Sequence, residues 1–120
     1  MSQRDVILAY FQCLNEKKDW EGYLSDDLVF TSPNQTIKGK RKYIESTKGF
    51  FQMVTGVEIK DLIVEGTKAC AITSYAMRSS KGNLFKDTGV AEFFTLKNNK
   101  IDSLTIYFDT VPYAAFRELE

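Results

Sequence analysis

One carboxylate, Glu92, stands inside an apolar and β-favouring run, Gly-Val-Ala-Glu-Phe-Phe-Thr-Leu at positions 89–96. Successive side chains of a strand point to opposite faces, so Glu92 shares its face with three apolar residues, Val90, Phe94 and Leu96. A carboxylate among apolar groups needs a partner, a raised pKa or a water-lined cavity. Glu92 therefore predicts a cavity with an acid in its wall, which is a binding or catalytic site.

The competing interpretation of Glu92 is a solvent-facing strand residue paired with a lysine of a neighbouring strand, an arrangement that is nearly neutral for stability. We favour enclosure, because alternation places Glu92 on the same face as Phe94. Enclosure removes water from the carboxylate and raises its pKa above the ordinary value of about 4.3. A carboxyl group that keeps its proton near neutral pH can donate a hydrogen bond.

Any proton transfer must use a group other than histidine, because the chain contains none. Ser-His-Asp and Cys-His catalysis and histidine-ligated metals are therefore excluded. A carboxylate, a tyrosine, a lysine or water must carry the proton. The two cysteines, Cys13 and Cys70, lie in apolar stretches without metal-ligand spacing, and we interpret both as free thiols. The remaining chemistry requires neither a metal nor an organic cofactor.

Length and charge narrow the choice of partner. The 120 residues are predicted to form a single domain, 1–120, that buries a core without disulfides. The 16 basic and 16 acidic residues cancel, which argues against nucleic acid or an anionic membrane as a partner. Because the sequence has no long uncharged apolar run, we expect a soluble, cytoplasmic protein.

The first half of the chain is predicted to be mainly helical, because apolar residues recur every three or four positions. Ser2 and Asp5 have the types and spacing of a helix cap, and Asp19 is expected to cap the next helix. Gly39 and Gly56 are expected to mark the start and the end of a third helix. The predicted elements are helices over 2–15, 19–24 and 39–56, with a brief strand over 28–31 and a loop over 33–36.

From residue 57 the hydrophobic period changes to the alternation of strands, predicted over 57–64, 69–77, 84–96 and 101–108. Turns rich in glycine and asparagine suit hairpins between them. Helices followed by an antiparallel meander predict an α+β domain with helices on one face of the sheet. The third strand is long, so we expect curvature or a bulge in it, with Gly89 as the favoured place. Pro112 indicates a short C-terminal helix after Asp109.

Alternation in the last predicted strand separates an inner from an outer face. Leu104, Ile106 and Phe108 share the face that lines the cavity or the core. The residues expected on the other face are Ile101, Ser103, Thr105 and Tyr107. Phe93 would project from the outer face of the sheet, and an exposed aromatic residue there predicts a homodimer formed through that face.

The order of these elements resembles a known superfamily. The segments that carry the likeness are 9–15, with its Tyr-x-x-x-Leu-Asn, 27–33, 39–44 and 99–109, which ends in Tyr-Phe-Asp. They resemble the nuclear transport factor 2-like superfamily and, within it, the SnoaL-like and ketosteroid-isomerase-like domains. The resemblance covers nearly the whole chain. It implies a cone-shaped, cystatin-like α+β barrel, in which three N-terminal helices pack on a strongly curved antiparallel sheet around an interior pocket.

The resemblance also implies roles for particular residues. In ketosteroid isomerases a helix tyrosine and a second acid form an oxyanion hole, and an aspartate is the base. Tyr10 falls on the tyrosine, although its place on the apolar stripe of the first helix favours a plain core residue unless it lies near Glu92. Glu92 falls on the second acid. Ser32 falls on the base, and serine does not transfer protons near pH 7 without an activating partner. Asp109 is the substitute base, although it also suits a helix cap.

The sequence thus predicts a pocket protein for a compact, partly apolar small molecule with a carbonyl or hydroxyl group. Glu92 and Tyr10 would orient that group by hydrogen bonds. The residues predicted to enclose the ligand are Phe30, Ser32, Phe94, Leu104, Ile106 and Phe108. Proton transfer next to a carbonyl, as in an isomerase, dehydratase or cyclase, is the matching reaction class. A non-catalytic ligand-sensing, dimerisation or protein-binding module is the alternative.

Overall fold

The computed structural model of the protein describes residues 1–119, which form three α-helices, one 3₁₀ turn and six strands. The helical elements are α1 (Gln3–Glu16), the 3₁₀ turn (Trp20–Tyr23), α2 (Lys40–Met53) and α3 (Thr110–Arg117). The strands are β1 (Leu24–Thr31), β2 (Thr36–Lys38), β3 (Val54–Glu65), β4 (Lys68–Arg78), β5 (Leu84–Lys97) and β6 (Lys100–Tyr107). Within these residues no helix has the length and apolar character needed to span a membrane.

The strands form one sheet in the order β2-β1-β6-β5-β4-β3. The predicted antiparallel meander is confirmed as β3 to β6, and helices packed on a curved sheet confirm the α+β fold class. Three details differ from the prediction, and the first is β2, a strand that was not predicted and that pairs with β1. β1 runs parallel to β6, so the sheet is mixed. Because β2 and β3 remain as edges, the sheet is open and does not close into a barrel.

Two helix boundaries were predicted wrongly, because strand pairing overrides local helical spacing. The second helix is only a 3₁₀ turn, and Leu24 already pairs with Ile101 as the first residue of β1. Asp19 lies in the left-handed region at φ 64° and makes no capping bond with its side chain. The third helix ends at Met53, so Gly56 lies inside β3 rather than at the end of a helix.

Two bulges set which side chains face inward. Ser74 of β4 lies opposite two residues of β5, Thr88 and Gly89, which confirms the bulge predicted there. The β5–β6 register shifts after Thr95, which gives β6 the extra residue Asp102. Ile101 is therefore turned inward and fully buried, and its predicted outward direction was wrong.

The cap and the apolar stripe of α1 are as predicted. The Asp5 amide donates to Ser2 Oγ at 3.1 Å, and the Ser2 amide donates to Asp5 Oδ2 at 3.3 Å. The stripe is buried from Val6 to Leu14. Asn15 then joins α1 to the edge strand β3, because its side-chain amide bonds both backbone polar groups of Val57, at 2.8 and 2.9 Å. This connection fixes α1, and with it Tyr10, against the sheet.

Candidate functional site

A cavity of about 320 Å³ lies between the sheet and the helices, with walls from α1, α2, α3 and strands β1, β4, β5 and β6. Its inner end is formed by buried residues, among them Tyr10, Tyr43 and Glu92. Exposed wall residues mark its mouth: Asn34, Gln35, Ser46, Gly49 and Arg117. Between the two ends the wall is mainly apolar, with Phe30, Phe50, Phe85, Leu104, Ile106 and Phe108.

Glu92 is enclosed at the inner end, with only 2% of its surface exposed. Its Oε2 atom accepts two hydrogen bonds, from Thr73 Oγ1 at 2.8 Å and from the Tyr75 hydroxyl at 2.9 Å. Both donors come from β4, which pairs with β5 so that Ala71 lies opposite Glu92. Among residues 1–119 no donor contacts Oε1. One carboxyl oxygen is therefore fixed by the protein, and the other is available to a ligand.

Burial determines which titratable groups at the inner end of the cavity carry a proton. Loss of solvent raises the pKa of Glu92 from 4.5 to about 7, although the bonds from Thr73 and Tyr75 lower it. Burial likewise raises the pKa of Tyr10, Tyr43 and Tyr75, and the nearby Glu92 charge raises each further. Near neutral pH the three phenols are protonated, and Glu92 exists both with and without its proton.

The hydrogen-bond donors to Glu92 are not among the residues that the sequence singled out. Tyr10 lines the cavity with its ring buried, but the donors to Glu92 are Thr73 and Tyr75, which the sequence reasoning missed. The sequence did contain a signal for Thr73 and Tyr75. Thr73 and Tyr75 alternate within the predicted strand 69–77, and the hairpin turn that follows brings this strand beside Glu92.

The structure divides the other predicted site residues between the cavity and the core. Those in the cavity wall are Phe30, Ser32, Leu104, Ile106 and Phe108. Phe94 is fully buried behind the wall, where its ring meets the edges of Tyr10 and Phe11 at centroid distances of 6.3 and 5.9 Å. It packs in the core because it lies farther along β5, beyond Glu92.

Asp109 is the N-cap of α3 rather than a wall residue. Its Oδ1 accepts from the Val111 amide at 3.0 Å, and its side chain is exposed. Ser32 lies in the wall, where its Oγ accepts from the Asn34 amide at 3.3 Å. The second carboxylate in the wall, within the described residues, is Asp87. The bulge at Thr88 and Gly89 brings it there, because the extra residue reverses which of the preceding β5 side chains face inward.

An open-mouthed cavity with a buried acid at its inner end, held between helices and a curved mixed sheet, defines the class of this domain. The sequence profile of the SnoaL-like domain matches residues 7–104. The chain therefore belongs to the SnoaL-like domain family of the nuclear transport factor 2-like superfamily. No curated protein matches the chain.

Solved structures share the fold at low sequence identity. An NTF2-like protein of unknown function from Cytophaga hutchinsonii ATCC 33406 is 22% identical, with a TM-score of 0.76 over 97% of this chain and 96% of that one. A candidate SnoaL-like polyketide cyclase from Jannaschia sp. CCS1 is 13% identical, with a TM-score of 0.82 over 94% and 89%. TerC, crystallised with polyporic acid, is 17% identical, with a TM-score of 0.79 over 98% and 96%. At these identities the similarity shows the fold alone.

Replacing Glu92 with glutamine should change how stability depends on pH. The folded-state pKa of Glu92 is raised from 4.5 to about 7, so folding retains a proton that the unfolded chain releases. Wild-type stability should therefore fall as pH rises from about 4.5 to about 7, by about 3 kcal/mol for the difference of about 2.5 in pKa. Glu92→Gln removes this loss, and urea unfolding at pH 5 and pH 8 measures it.

The control for this prediction is Glu65→Gln, which makes the same change at an exposed position. It should leave the pH dependence at the wild-type level. A Glu92→Gln variant whose stability follows the wild-type pH profile would contradict the enclosure of this carboxyl group.

Proposed function

We propose that the cavity binds a compact, partly apolar molecule whose carbonyl or hydroxyl oxygen lies against Glu92. The observation that carries the proposal is Oε1, the carboxyl oxygen that no donor contacts within residues 1–119, at the inner end of an apolar cavity. A carboxyl oxygen without a protein donor keeps its acceptor capacity, and a ligand group at the inner end of the cavity can bond to it. The protonated carboxyl group donates to a carbonyl, whereas the carboxylate accepts from a hydroxyl.

The shape of the cavity supports the same ligand class. Its volume of about 320 Å³ lies at the lower end of the range for small-molecule sites, which is roughly 300–1,000 Å³. Its middle is apolar, and Tyr10, Tyr43 and Glu92 place polar groups at the inner end, so one end of a ligand would be oriented there while its apolar part is desolvated. Tyr10 and Tyr43 add neutral hydroxyl groups beside Glu92. The TerC neighbour was crystallised with polyporic acid, which supports a small-molecule ligand for this fold.

The proposal extends to proton transfer next to a carbonyl. Protonated Glu92 and Tyr10 would hold the carbonyl oxygen, and a base would take the adjacent carbon-bound proton, so that the C–H electron pair moves towards that oxygen. The enolate then regains the proton at another carbon. Asp87, the second carboxylate of the described wall, is the base we propose in place of Ser32 and Asp109.

The alternative function is ligand sensing without catalysis. It is favoured by Ser32 at the position where a base would be expected, since a serine without an activating partner takes no proton near pH 7. Under this alternative Glu92 still orients the ligand, but Asp87 has no role in turnover. Binding and turnover experiments separate the two.

We also propose that the outer face of the sheet forms a homodimer. Its exposed apolar residues come from four neighbouring strands: Ile63, Ile72, Phe93 and Tyr107. Phe93 and Ile63 flank Cys70 in one cross-strand row, and Ile72 and Tyr107 flank Ala91 in the next. Adjacent rows make one continuous apolar patch, which a monomer would leave in water.

A ketone probe should bind in a manner that follows the proton on Glu92. The affinity of 2-acetylnaphthalene should fall as pH rises through about 7, because only the protonated acid donates to a ketone. One hydrogen bond of this kind is worth roughly 0.5–1.5 kcal/mol, or about 2- to 12-fold in affinity. Fluorescence titration from pH 5 to pH 9 measures the effect.

Two controls make this measurement specific. Glu92→Gln keeps an N–H donor at every pH, so its affinity should not vary over the range. Naphthalene lacks the carbonyl group and should bind the wild type equally at all pH values. An equal fall for naphthalene, or a flat profile for the ketone, would rule out the proposed hydrogen bond.

Turnover should depend on Asp87 and not on Asp109. With cyclohex-3-enone as the probe, the wild type should form the conjugated ketone, which ultraviolet absorbance detects. Loss of a general base lowers such rates by roughly 10²- to 10⁴-fold, so Asp87→Asn should lose turnover while retaining ketone binding. Asp109→Asn should retain the wild-type rate. Binding without any wild-type turnover would instead select the ligand-sensing alternative.

Self-association should require the outer-face patch. Phe93→Ala should shift sedimentation equilibrium towards monomer, because Phe93 is 41% exposed at the centre of the patch. Val111→Ala, a 75% exposed residue of α3, is the matched control and should leave the equilibrium unchanged. A wild type that remains monomeric at high concentration is the outcome that rejects the dimer.

A further inference from the structure

Tyr113 of α3 lies where three other walls of the cavity meet. Its ring centroid is 6.2 Å from that of Phe50 in α2, 6.3 Å from that of Phe85 in β5 and 5.5 Å from that of Phe108, which follows β6. All four rings line the cavity, and all four are half-buried, between its buried inner end and its exposed mouth. Aromatic rings at such centroid distances are in contact. The Tyr113 ring therefore fills the space between α3 and these three walls.

The Tyr113 side chain is also held from the solvent side. Arg117, one turn later in α3, donates from Nη1 to the Tyr113 hydroxyl at 2.8 Å, and its guanidinium lies 5.8 Å from the ring centroid. Phe116 fixes the same helix, because it is buried and stacks on Phe85 at 5.1 Å. A ring that is bonded at its hydroxyl and packed on three sides turns aside only by losing these contacts. Tyr113 thus stands between the apolar middle of the cavity and the exposed Arg117.

Two walls of the cavity lead from Glu92 to Tyr113. On the helical side, the Tyr75 hydroxyl bonds Glu92, and the Phe50 ring lies between Tyr75 and Tyr113, at 6.0 and 6.2 Å from their rings. On the sheet side, Glu92 and Phe85 both line the cavity from β5. A ligand whose oxygen lies against Glu92 and whose body follows these walls therefore ends at the Tyr113 ring.

We propose that Tyr113 limits the length of the ligand that the cavity accepts, and that Arg117 is the positioning residue that fixes the Tyr113 ring. A ketone with two fused rings fits between Glu92 and Tyr113, whereas a third fused ring would overlap the tyrosine. This inference rests on the proposed function, because it takes the contact of the ligand oxygen with Glu92 as one end of the ligand.

The test compares 2-acetylnaphthalene with 2-acetylanthracene, which is longer by one fused ring, in fluorescence titrations. The wild type should bind the longer ketone at least about tenfold more weakly, because a packed wall gives way to added bulk only at a cost. Tyr113→Ala removes the ring and should raise the affinity for 2-acetylanthracene at least about tenfold, with the affinity for 2-acetylnaphthalene within about threefold of the wild type. Tyr113→Leu keeps an apolar side chain on the helix and should act in the same direction.

Val111→Ala is the matched control, since Val111 is 75% exposed on the same helix and lies outside the described cavity wall. It should bind both ketones as the wild type does. Far-UV circular dichroism establishes that each variant keeps its helices, and Tyr113→Leu serves if the alanine variant does not fold. A folded variant without the Tyr113 ring that still discriminates against the longer ketone would overturn the proposal, as would a wild type that binds both ketones equally.

A double-mutant cycle tests the role of Arg117. Arg117→Gln and Tyr113→Phe each remove the hydrogen bond between the two side chains and loosen the ring. Each should raise the affinity for 2-acetylanthracene by about 2- to 12-fold, the range for the loss of one hydrogen bond. The double variant should show no more than either single one. A further effect of Arg117→Gln in the Tyr113→Phe background would contradict positioning through this bond.

A second readout needs no ligand. A water-soluble carbodiimide activates the Glu92 carboxyl group for coupling to an added amine, and peptide mass spectrometry gives the rate. Tyr113→Ala opens the cavity beside α3 and should speed this labelling relative to the wild type and Val111→Ala, and equal rates would contradict the closure by Tyr113. Faster labelling together with a wild type that binds neither ketone would refute the proposed function, and with it the limit on ligand length, but not the closure by Tyr113.

Discussion

The contact between the Glu92 carboxyl group and the hydroxyl groups of Thr73 and Tyr75 is the constraint on which the site depends. A carboxyl group with 2% exposure needs protein donors or a proton, and this arrangement provides both. It requires β4 and β5 to pair in one register, because a slip of one residue would turn Thr73 and Glu92 to opposite faces. The bulge at Gly89 then lets Tyr75 remain beside Glu92 while Asp87 joins the same wall.

The two oxygens of this carboxyl group differ in their contacts with the protein. Oε2 is satisfied by β4, which ties the two strands together at the inner end of the cavity. Oε1 has no donor among residues 1–119, in surroundings that raise the pKa of the carboxyl group to about 7. A small change in pH or a bound oxygen atom therefore shifts its protonation. The same burial that makes the carboxylate costly keeps a proton on part of the Glu92 population near neutral pH.

Local patterns predicted much of this architecture. Alternation correctly placed Glu92 with Val90 and Phe94 on a buried face, and the long third strand predicted the bulge at Gly89. The capping residues Ser2 and Asp5 fixed the start of α1. In each case the determining interactions lie within a few residues along the chain or across one hairpin, so the sequence expresses them directly.

Long-range pairing explains what the sequence did not reveal. The parallel contact of β1 with β6 joins residues such as Phe30 and Leu104, and no local period encodes it. Asp87 turns inward because the extra residue at the bulge reverses which β5 side chains face the cavity. The hydrogen-bond partners of Glu92 are set by the register between β4 and β5. Residue types alone reveal neither arrangement. Asp109, conversely, was also predicted as a helix cap from its local sequence, and in the structure it caps α3.

The most direct test of this account is a ¹³C NMR titration of the Glu92 side-chain carboxyl carbon in the folded protein, assigned by comparison with Glu92→Gln. Enclosure of Glu92 predicts a midpoint near pH 7, moved upward when 2-acetylnaphthalene is bound, because a ketone stabilises the protonated acid. A midpoint near 4.5, unchanged by the ketone, would contradict both the buried carboxyl group and its role at the inner end of the cavity.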